Sequence, residues 1–274
     1  MAESLASASC ASLGMYDLPE LRSANDLLWA TLAEHLAAEG VEAPAALTRG
    51  RPLEGVWRDP ALLLAQTCGY PMMAELRGSV QLVATPCYLA EGCQGPFYRS
   101  AIVVAAGASA QTLEDLRGSR CAVNELSSNS GMNLLRAEIS AIAGGREFFG
   151  HIRLTGAHAA SLEVVACGEA DVAAIDCVTY AHLRRLRPHL AQEVRVLAWT
   201  QPSPGLPLIT SIATSTGSLA ALRRALDAAQ QDRRLEAARR DLLLDGFELV
   251  SEAQYGLVLD LRRLAVERGY PELR

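Results

Sequence analysis

The chain has 274 residues, half of them hydrophobic and a fifth charged, with a mean hydropathy of +0.13 and a formal charge of −6. This balance excludes intrinsic disorder, and it argues against a non-specific nucleic-acid binder, because such proteins depend on massed Lys and Arg. No apolar run approaches the ~20 residues that cross a bilayer, so we expect a protein that is not membrane-spanning.

The first residues bear on the compartment. The segment MAESLASASCASLG has neither a basic n-region nor a long apolar h-region, so it does not have the pattern of a secretory signal. We therefore expect a cytoplasmic protein, or a periplasmic one if a leader has been removed from the chain.

Short β-like runs alternate with helical stretches along the whole chain, a pattern that predicts an α/β protein with mainly parallel sheets. The predicted strands are 8–15, 45–48, 61–67, 80–86, 98–107, 121–125, 152–155, 172–175, 194–198 and 209–213. The predicted helices are 25–39, 53–57, a short one opening at Pro71, 112–118, 132–143, 159–167, 178–186, 218–230, 236–245 and 252–266.

Two segments are predicted to cross between halves of the molecule. These are GPFYRS at 95–100 and the Pro/Gly-rich TQPSPGLP at 200–207. Two crossings would make residues 1–99 plus 201–274 one lobe, with 100–200 inserted as the other. They would also form a hinge beside a cleft, where ligands usually bind.

The most specific local pattern is SSNSG, which places Ser127, Ser128, Asn129 and Ser130 before a glycine and a predicted helix. One interpretation is an ordinary N-cap, in which a hydroxyl accepts from the first N–H groups of the helix. The other is an anion cradle built from those N–H groups and the positive end of the helix dipole. Four polar residues exceed what a cap needs, so the pattern favours anion binding.

His158 and Asp176 are further candidates. His158 lies at the start of a predicted helix, and Asp176 ends the apolar strand VAAID, at the edge where open α/β sheets bind ligands. His158 could equally be a surface residue beside the helix. Asp176 could be the N-cap of the helix that follows, and it could serve as cap and ligand together.

Four residues near other strand ends complete the candidate set. Tyr16 and Tyr70 follow two predicted strands and are typical of cleft walls, although they could also be core residues. Thr67 ends the strand before Tyr70. Arg99 could offer a bidentate charge to an oxyanion, or lie on the surface of the hinge.

Catalytic signatures are missing, since the chain has no GxSxG, HExxH, CxxC or P-loop pattern and its five histidines show no metal spacing. We therefore expect no catalysis, no cofactor and no metal. The seven cysteines leave at least one unpaired. Whether Cys87 and Cys93 form a disulfide stays open at this point.

Several segments together carry a resemblance to a known family: YRSAIVV, LEDLRGSRCAVNELSSNSG, TGAHAASLEVVACGEADVAAID and WTQPSPGLPLI. In their order and spacing the chain resembles the phosphate/phosphite/phosphonate-type substrate-binding proteins of ABC transporters. The resemblance implies a two-lobed periplasmic-binding-protein type II fold, a small oxyanion ligand such as phosphate, phosphite or a phosphonate, and an ABC permease as partner.

The same resemblance implies roles for particular residues. The hydroxyl-rich turn at 127–130 would clasp the oxyanion, His158 would contact it, and Asp176 would lie in the site. Because Asp176 would repel a fully ionised dianion, a ligand that keeps a P–OH or carries an amine fits better. Two alternatives remain at this stage, an enzyme or a ligand sensor built on the same scaffold.

Overall fold

The computed structural model describes residues 9–274, and these divide into two compact units. Unit 1 contains the residues up to Cys68 together with Glu75–Cys87 and Leu206–Val250. Unit 2 contains Gly69–Ala74, Tyr88–Gly205 and Ser251–Arg274.

Strands and helices alternate along the described residues. The strands are β1 Cys10–Ser12, β2 Leu62–Gln66, β3 Val80–Tyr88, β4 Phe97–Tyr98, β5 Ser100–Ala105, β6 Arg120–Val123, β7 His151–Leu154, β8 Val172–Asp176, β9 Val194–Trp199, β10 Ser203–Pro204, β11 Leu208–Ser211 and β12 Leu244–Glu248. The α-helices are α1 Arg22–Ala38, α2 Leu53–Trp57, α3 Gly69–Ala74, α4 Leu134–Ala143, α5 His158–Ala166, α6 Cys177–Leu186, α7 Pro188–Ala191, α8 Thr216–Gln231, α9 Glu236–Asp241 and α10 Glu252–Glu267.

Unit 1 is built on a five-stranded sheet in the order β1-β2-β11-β3-β12. Strands β1 and β2 are parallel, whereas β11 runs antiparallel to both β2 and β3. Helix α1 buries Leu28, Leu32 and Leu36, which recur at helical spacing and form one apolar face, and it packs beside α8 and α9.

Unit 2 is built on a second five-stranded sheet in the order β7-β6-β8-β5-β9. Strand β6 is parallel to β7 and β8, and β5 is antiparallel to β8 and β9. Ile102, Val104 and Val172 from the sheet form a core with Leu135 and Ile139 of α4. Burying these apolar side chains gives unit 2 its main stabilising term.

The C-terminal helix belongs to unit 2 because its contacts lie there. Helix α10 packs against α3, α4 and β10. The Tyr255 hydroxyl donates to the Gly205 carbonyl at 2.8 Å, and Asn133 donates to the Val258 carbonyl at 3.0 Å. The predicted lobes, 1–99 plus 201–274 and 100–200, therefore differ from the compact units at residues 69–74, 88–99, 201–205 and 251–274.

The predicted α/β class is confirmed, but the sheets are mixed rather than mainly parallel. The reason lies in β5 and β11, which follow the paired short strands β4 and β10 and run antiparallel to both neighbours. Among the described residues, no helix combines the length and the apolarity that a bilayer crossing requires.

Three predicted elements need correction. The strand at 45–48 is wrong, because this segment forms no ladder and only the Thr48 N–H reaches β1, donating to the Ala11 carbonyl at 2.6 Å. The helix at 236–245 is too long, since α9 ends at Asp241, Leu243 adopts a positive φ of 54° and β12 begins at once. The strand at 8–15 is observed only as Cys10–Ser12, and its first predicted residue lies outside the described residues.

Candidate functional site

The polar turn before α4 is mostly buried, and a side chain caps it. The Ser128 hydroxyl accepts a hydrogen bond from the Gly131 N–H at 3.0 Å, so the predicted capping role is confirmed for this residue. A π-helical turn over Asn129–Asn133 follows and leads directly into α4. Ser128, Asn129 and Ser130 are buried, whereas Ser127 is half-buried. Such widened turns recur at functional sites in helices.

The turn meets the start of a second helix through one hydrogen bond. The Ser130 hydroxyl lies 2.8 Å from Nε2 of His158, the first residue of α5. The residue before it, Ala157, has no side chain that can cap the helix. The first N–H groups of α5 therefore have no side-chain acceptor at that position. The positive ends of two helices therefore lie side by side in unit 2.

The His158 ring is held in its neutral form. Burial lowers the pKa of His158 from 6.5 to about 4, and an interaction with the Ala174 backbone opposes this only in part. A neutral imidazole has one donor and one acceptor nitrogen, so it can pair with a hydroxyl without bringing a charge.

Gly131 and Asn124 come into very close contact beside this hydrogen bond. A Cβ placed on Gly131 would lie 1.7 Å from Asn124 Oδ1 and 3.1 Å from His158 Cε1. The Oδ1 atom of Asn124 is shielded from solvent and has no hydrogen-bond partner among the described residues. A buried, unpaired acceptor calls for a physical explanation, and a polar ligand would supply one.

Asp176 pairs in the sheet with Ser100, a residue that contacts the turn. Its carboxylate accepts from the Val178 and Thr179 N–H groups, both at 2.9 Å, so the capping interpretation is confirmed. Ser100 lies opposite Asp176 in the β5–β8 ladder, and its hydroxyl donates to the Ser130 carbonyl at 2.9 Å. Ser100 was not predicted; a serine that opens an apolar strand was the only signal in the sequence.

Asn129 has a different role from its neighbours in the turn. Its amide donates to the Tyr98 hydroxyl at 3.2 Å and to the Ser203 hydroxyl at 2.9 Å, and its carbonyl accepts from Asn133 at 2.9 Å. The side chain is fully buried in this network. Asn129 therefore ties the turn to β4 and β10, a role that sequence reasoning missed.

Arg99 and Tyr70 are engaged elsewhere within unit 2. The Arg99 guanidinium donates to the Thr200 carbonyl at 2.7 Å. Tyr70 lies beside Arg136. Burial lowers the pKa of Arg136, and the nearby tyrosine opposes this decrease only in part. Arg136 also donates to Asn133 at 2.5 Å, so Tyr70 lies near the network below the turn. Ligand contacts by Arg99 and Tyr70 stay predictions.

Tyr16 and Thr67 belong to unit 1. Tyr16 is buried just after β1, and its carbonyl accepts from Asn25 at 3.4 Å. Thr67 is fully buried after β2, and its N–H donates to the Pro207 carbonyl at 2.9 Å. Their predicted ligand contacts stay predictions as well.

Cys87 and Cys93 have different neighbours. Cys87, in unit 1, lies 3.6 Å from a Glu248 carboxylate oxygen. The Cys93 sulfur, in unit 2, lies 3.4 Å from that of Cys177, and both cysteines are free thiols. Within the part of the chain that the structure describes, no group of three or more His, Cys, Asp or Glu is placed to hold a metal ion.

Residues 62–255 match the family described as ABC transporter, phosphonate, periplasmic substrate-binding protein. The chain belongs to this family. Membership confirms the predicted substrate-binding function in preference to an enzyme or a sensor on the same scaffold. No curated protein sequence matches the chain significantly.

The fold of this family member is similar to the folds of several solved structures. A binding protein component of an ABC phosphonate transporter from Pseudomonas aeruginosa is 17% identical, with 95% of this chain and 87% of that chain covered and a TM-score of 0.75. PhnD1 from Prochlorococcus marinus in complex with methylphosphonate is 15% identical, with 93% and 97% covered and a TM-score of 0.75. A Xanthomonas citri protein bound to ATP is 16% identical, with 95% and 97% covered and a TM-score of 0.70. The likeness confirms the two-lobed periplasmic-binding-protein fold.

Proposed function

We propose that unit 2 of this substrate-binding protein holds the oxyanion of a phosphonate, or of a closely related phosphorus oxyanion, at the corner formed by residues 128–131 and the start of α5. The observation that carries the proposal is the 2.8 Å hydrogen bond between Ser130 and His158, because it brings two helix starts together. The family and the methylphosphonate complex of PhnD1 support the same ligand class.

The corner offers backbone N–H donors, and no side chain at Gly131 covers them. Backbone N–H groups at a helix start, together with the dipole, favour an anion by about 0.3–1 kcal/mol for each helix. Gly131 has no side chain to block approach to the backbone, and the hydroxyls of Ser128 and Ser130 lie 3.5 Å from each other in the same turn. The corner therefore resembles an anion cradle more than a simple cap.

The charges around the corner favour a ligand that keeps a donor. His158 is neutral, so it adds no positive charge to balance a second negative one. Asp176 adds a carboxylate at the ladder position opposite Ser100, whose hydroxyl donates to the turn. The unpaired Oδ1 of Asn124 is an acceptor. A monoanionic phosphonate with a P–OH group, or an aminophosphonate, satisfies all three conditions.

The family supports binding without chemistry, and it also supports the expected place and partner. We infer that the protein works in the periplasm, delivers its ligand to an ABC permease and releases it unchanged. Phosphorus NMR of methylphosphonate after long incubation with the protein should show no new species. Fractionation of cells carrying the native gene should place the protein outside the cytoplasmic membrane, and loss of the partner permease should abolish uptake of the ligand.

Calorimetry with methylphosphonate, aminoethylphosphonate, phosphite and phosphate tests the site, with sulfate and acetate as ligand controls. Ser130→Ala should weaken binding by about 1–3 kcal/mol, or roughly 5- to 150-fold in Kd, because it removes a buried hydroxyl from the corner. Ser140→Ala is the matched control, since Ser140 is also buried, but its hydroxyl bonds to the Ala137 carbonyl within α4.

The outcomes separate the site from the ligand class. If Ser130→Ala and Ser140→Ala bind as the wild type does, the corner is not the site, even though a phosphonate binds. If no phosphorus oxyanion produces heat or raises the Tm, the ligand class itself is wrong, because any ligand that prefers the folded state raises the Tm.

A further inference from the structure

We propose that Cys93 and Cys177 are a dithiol that a low-molecular-weight disulfide converts into an intrachain disulfide. The modification would join the segment after β3 to the first residue of α6. It is independent of the ligand proposed above.

The two sulfurs already lie 3.4 Å apart, and forming a bond requires them to approach to about 2 Å. Both cysteines lie in unit 2, so closing the bond needs no rearrangement of one unit against the other. Cys177 has fixed backbone geometry, since it begins α6 and its N–H donates to the Arg99 carbonyl at 3.1 Å. The two sulfurs therefore have about 1.4 Å left to close.

The segment that carries Cys93 is held against Cys177 by its own contacts. Gly92 adopts a φ of +96°, and a Cβ there would lie 2.9 Å from the Trp199 ring and 3.0 Å from the Cys177 Cβ. The Cys93 N–H donates to the Ala90 carbonyl at 2.9 Å, which closes a turn around Gly92. The pairing therefore comes from packing around the thiols as well as from the thiols themselves.

The two thiols have unequal access and unequal reactivity. Cys93 is half-buried, whereas Cys177 is buried. The hydrogen bond to Cys93, then burial and the Asp176 carboxylate, raise the pKa of Cys177 well above its usual value. Cys93 is therefore the first nucleophile, and Cys177 is the resolving thiol.

The chemistry balances as two exchanges. The Cys93 thiolate attacks one sulfur of the small disulfide RSSR, forming a mixed disulfide and releasing one RS⁻. Cys177 loses its proton and attacks the Cys93 sulfur, which breaks the mixed disulfide and releases the second RS⁻. Two protein thiols are oxidised by two electrons, RSSR is reduced to two RSH, and the two cysteine protons go to the released thiolates.

The full chain, incubated with oxidised glutathione and then denatured in acid, gives the test. We expect peptide mapping to show one cross-linked peptide pair, which carries Cys93 and Cys177. Cys93→Ser should abolish the cross-link. Cys167→Ser, which changes an exposed cysteine, should leave it unchanged.

Cys177 is buried, so Cys177→Ser and Cys177→Ala are compared, and both should stop at a glutathione adduct on Cys93. If neither folds, mapping of the wild-type chain decides alone. A wild-type chain that stops at the mixed disulfide, or that cross-links through any other cysteine, would overturn the proposal.

Discussion

Replacing His158 by Gln should reduce the acid sensitivity of the folded protein. Folding lowers the pKa of His158 to about 4 from 6.5, so the unfolded chain holds a proton on this ring more tightly than the folded protein does. The stability that comes from the neutral ring is fully present above pH 6.5 and is lost as the pH falls towards 4. Gln keeps a polar group near the Ser130 hydroxyl but cannot titrate.

The size of the effect follows from the same shift. Each pKa unit corresponds to about 1.36 kcal/mol, so a decrease from 6.5 to about 4 gives an upper value of about 3 kcal/mol. His158 is half-buried as a whole residue, so part of this value is lost to solvent screening. We therefore expect a measured difference of about 2–3 kcal/mol.

Urea unfolding from about pH 7 to about pH 4.5 measures this difference. The free energy of unfolding should fall more steeply in the wild type than in His158→Gln. The exposed His151 provides the control, and His151→Gln should retain the wild-type slope. Identical slopes for the wild type and His158→Gln would show that the ring is not held neutral by its surroundings, and would refute the reasoning.

Two further substitutions probe the corner. Gly131→Ala should displace Asn124, because its Cβ would lie 1.7 Å from Asn124 Oδ1. We expect a loss of about 1–3 kcal/mol of stability and weaker methylphosphonate binding. Gly107→Ala, which adds a Cβ in open space, is the control, and equal melting and binding of the two variants would contradict this prediction. Asp176→Asn should leave the fold intact, because Asn also caps helices, and should improve binding of the more ionised ligand at high pH; an unchanged pH profile of Kd would remove Asp176 from the site.

Much of the fold could be predicted because its signals are local. Continuous apolar runs such as 61–67 and 98–107 indicated buried strands, and Leu28, Leu32 and Leu36 at helical spacing indicated α1. The errors arose where a partner strand far away in the sequence determines whether a segment is a strand or a helix. Strand β12 lies beside β3 in the sheet of unit 1, and this pairing cannot be predicted from the five residues LDGFE alone.

The contacts of the site also differ in how well the sequence predicts them. Ser128 and Asp176 lie at helix starts, and their capping roles are visible in sequence because a cap bonds to its own neighbours. The contacts of Asn129 with Tyr98 and Ser203 join residues 31 and 74 positions apart, and no local pattern reveals them. Ligand contact by Asn129 stays a prediction, whereas its bonds to Tyr98 and Ser203 are visible only in the structure.

The position of α10 has a consequence for fragment design. Leu261 of this helix packs on Leu134 and Ala137 of α4. The Val258 carbonyl accepts a hydrogen bond from the Asn133 amide. A recombinant piece spanning only 88–205 would expose that apolar face and leave the buried Asn133 amide with Asn129 as its acceptor but without Val258. An isolated version of unit 2 therefore has to regain the C-terminal helix, grafted by a linker or supplied as a separate peptide, before its ligand affinity can be compared with that of the whole chain.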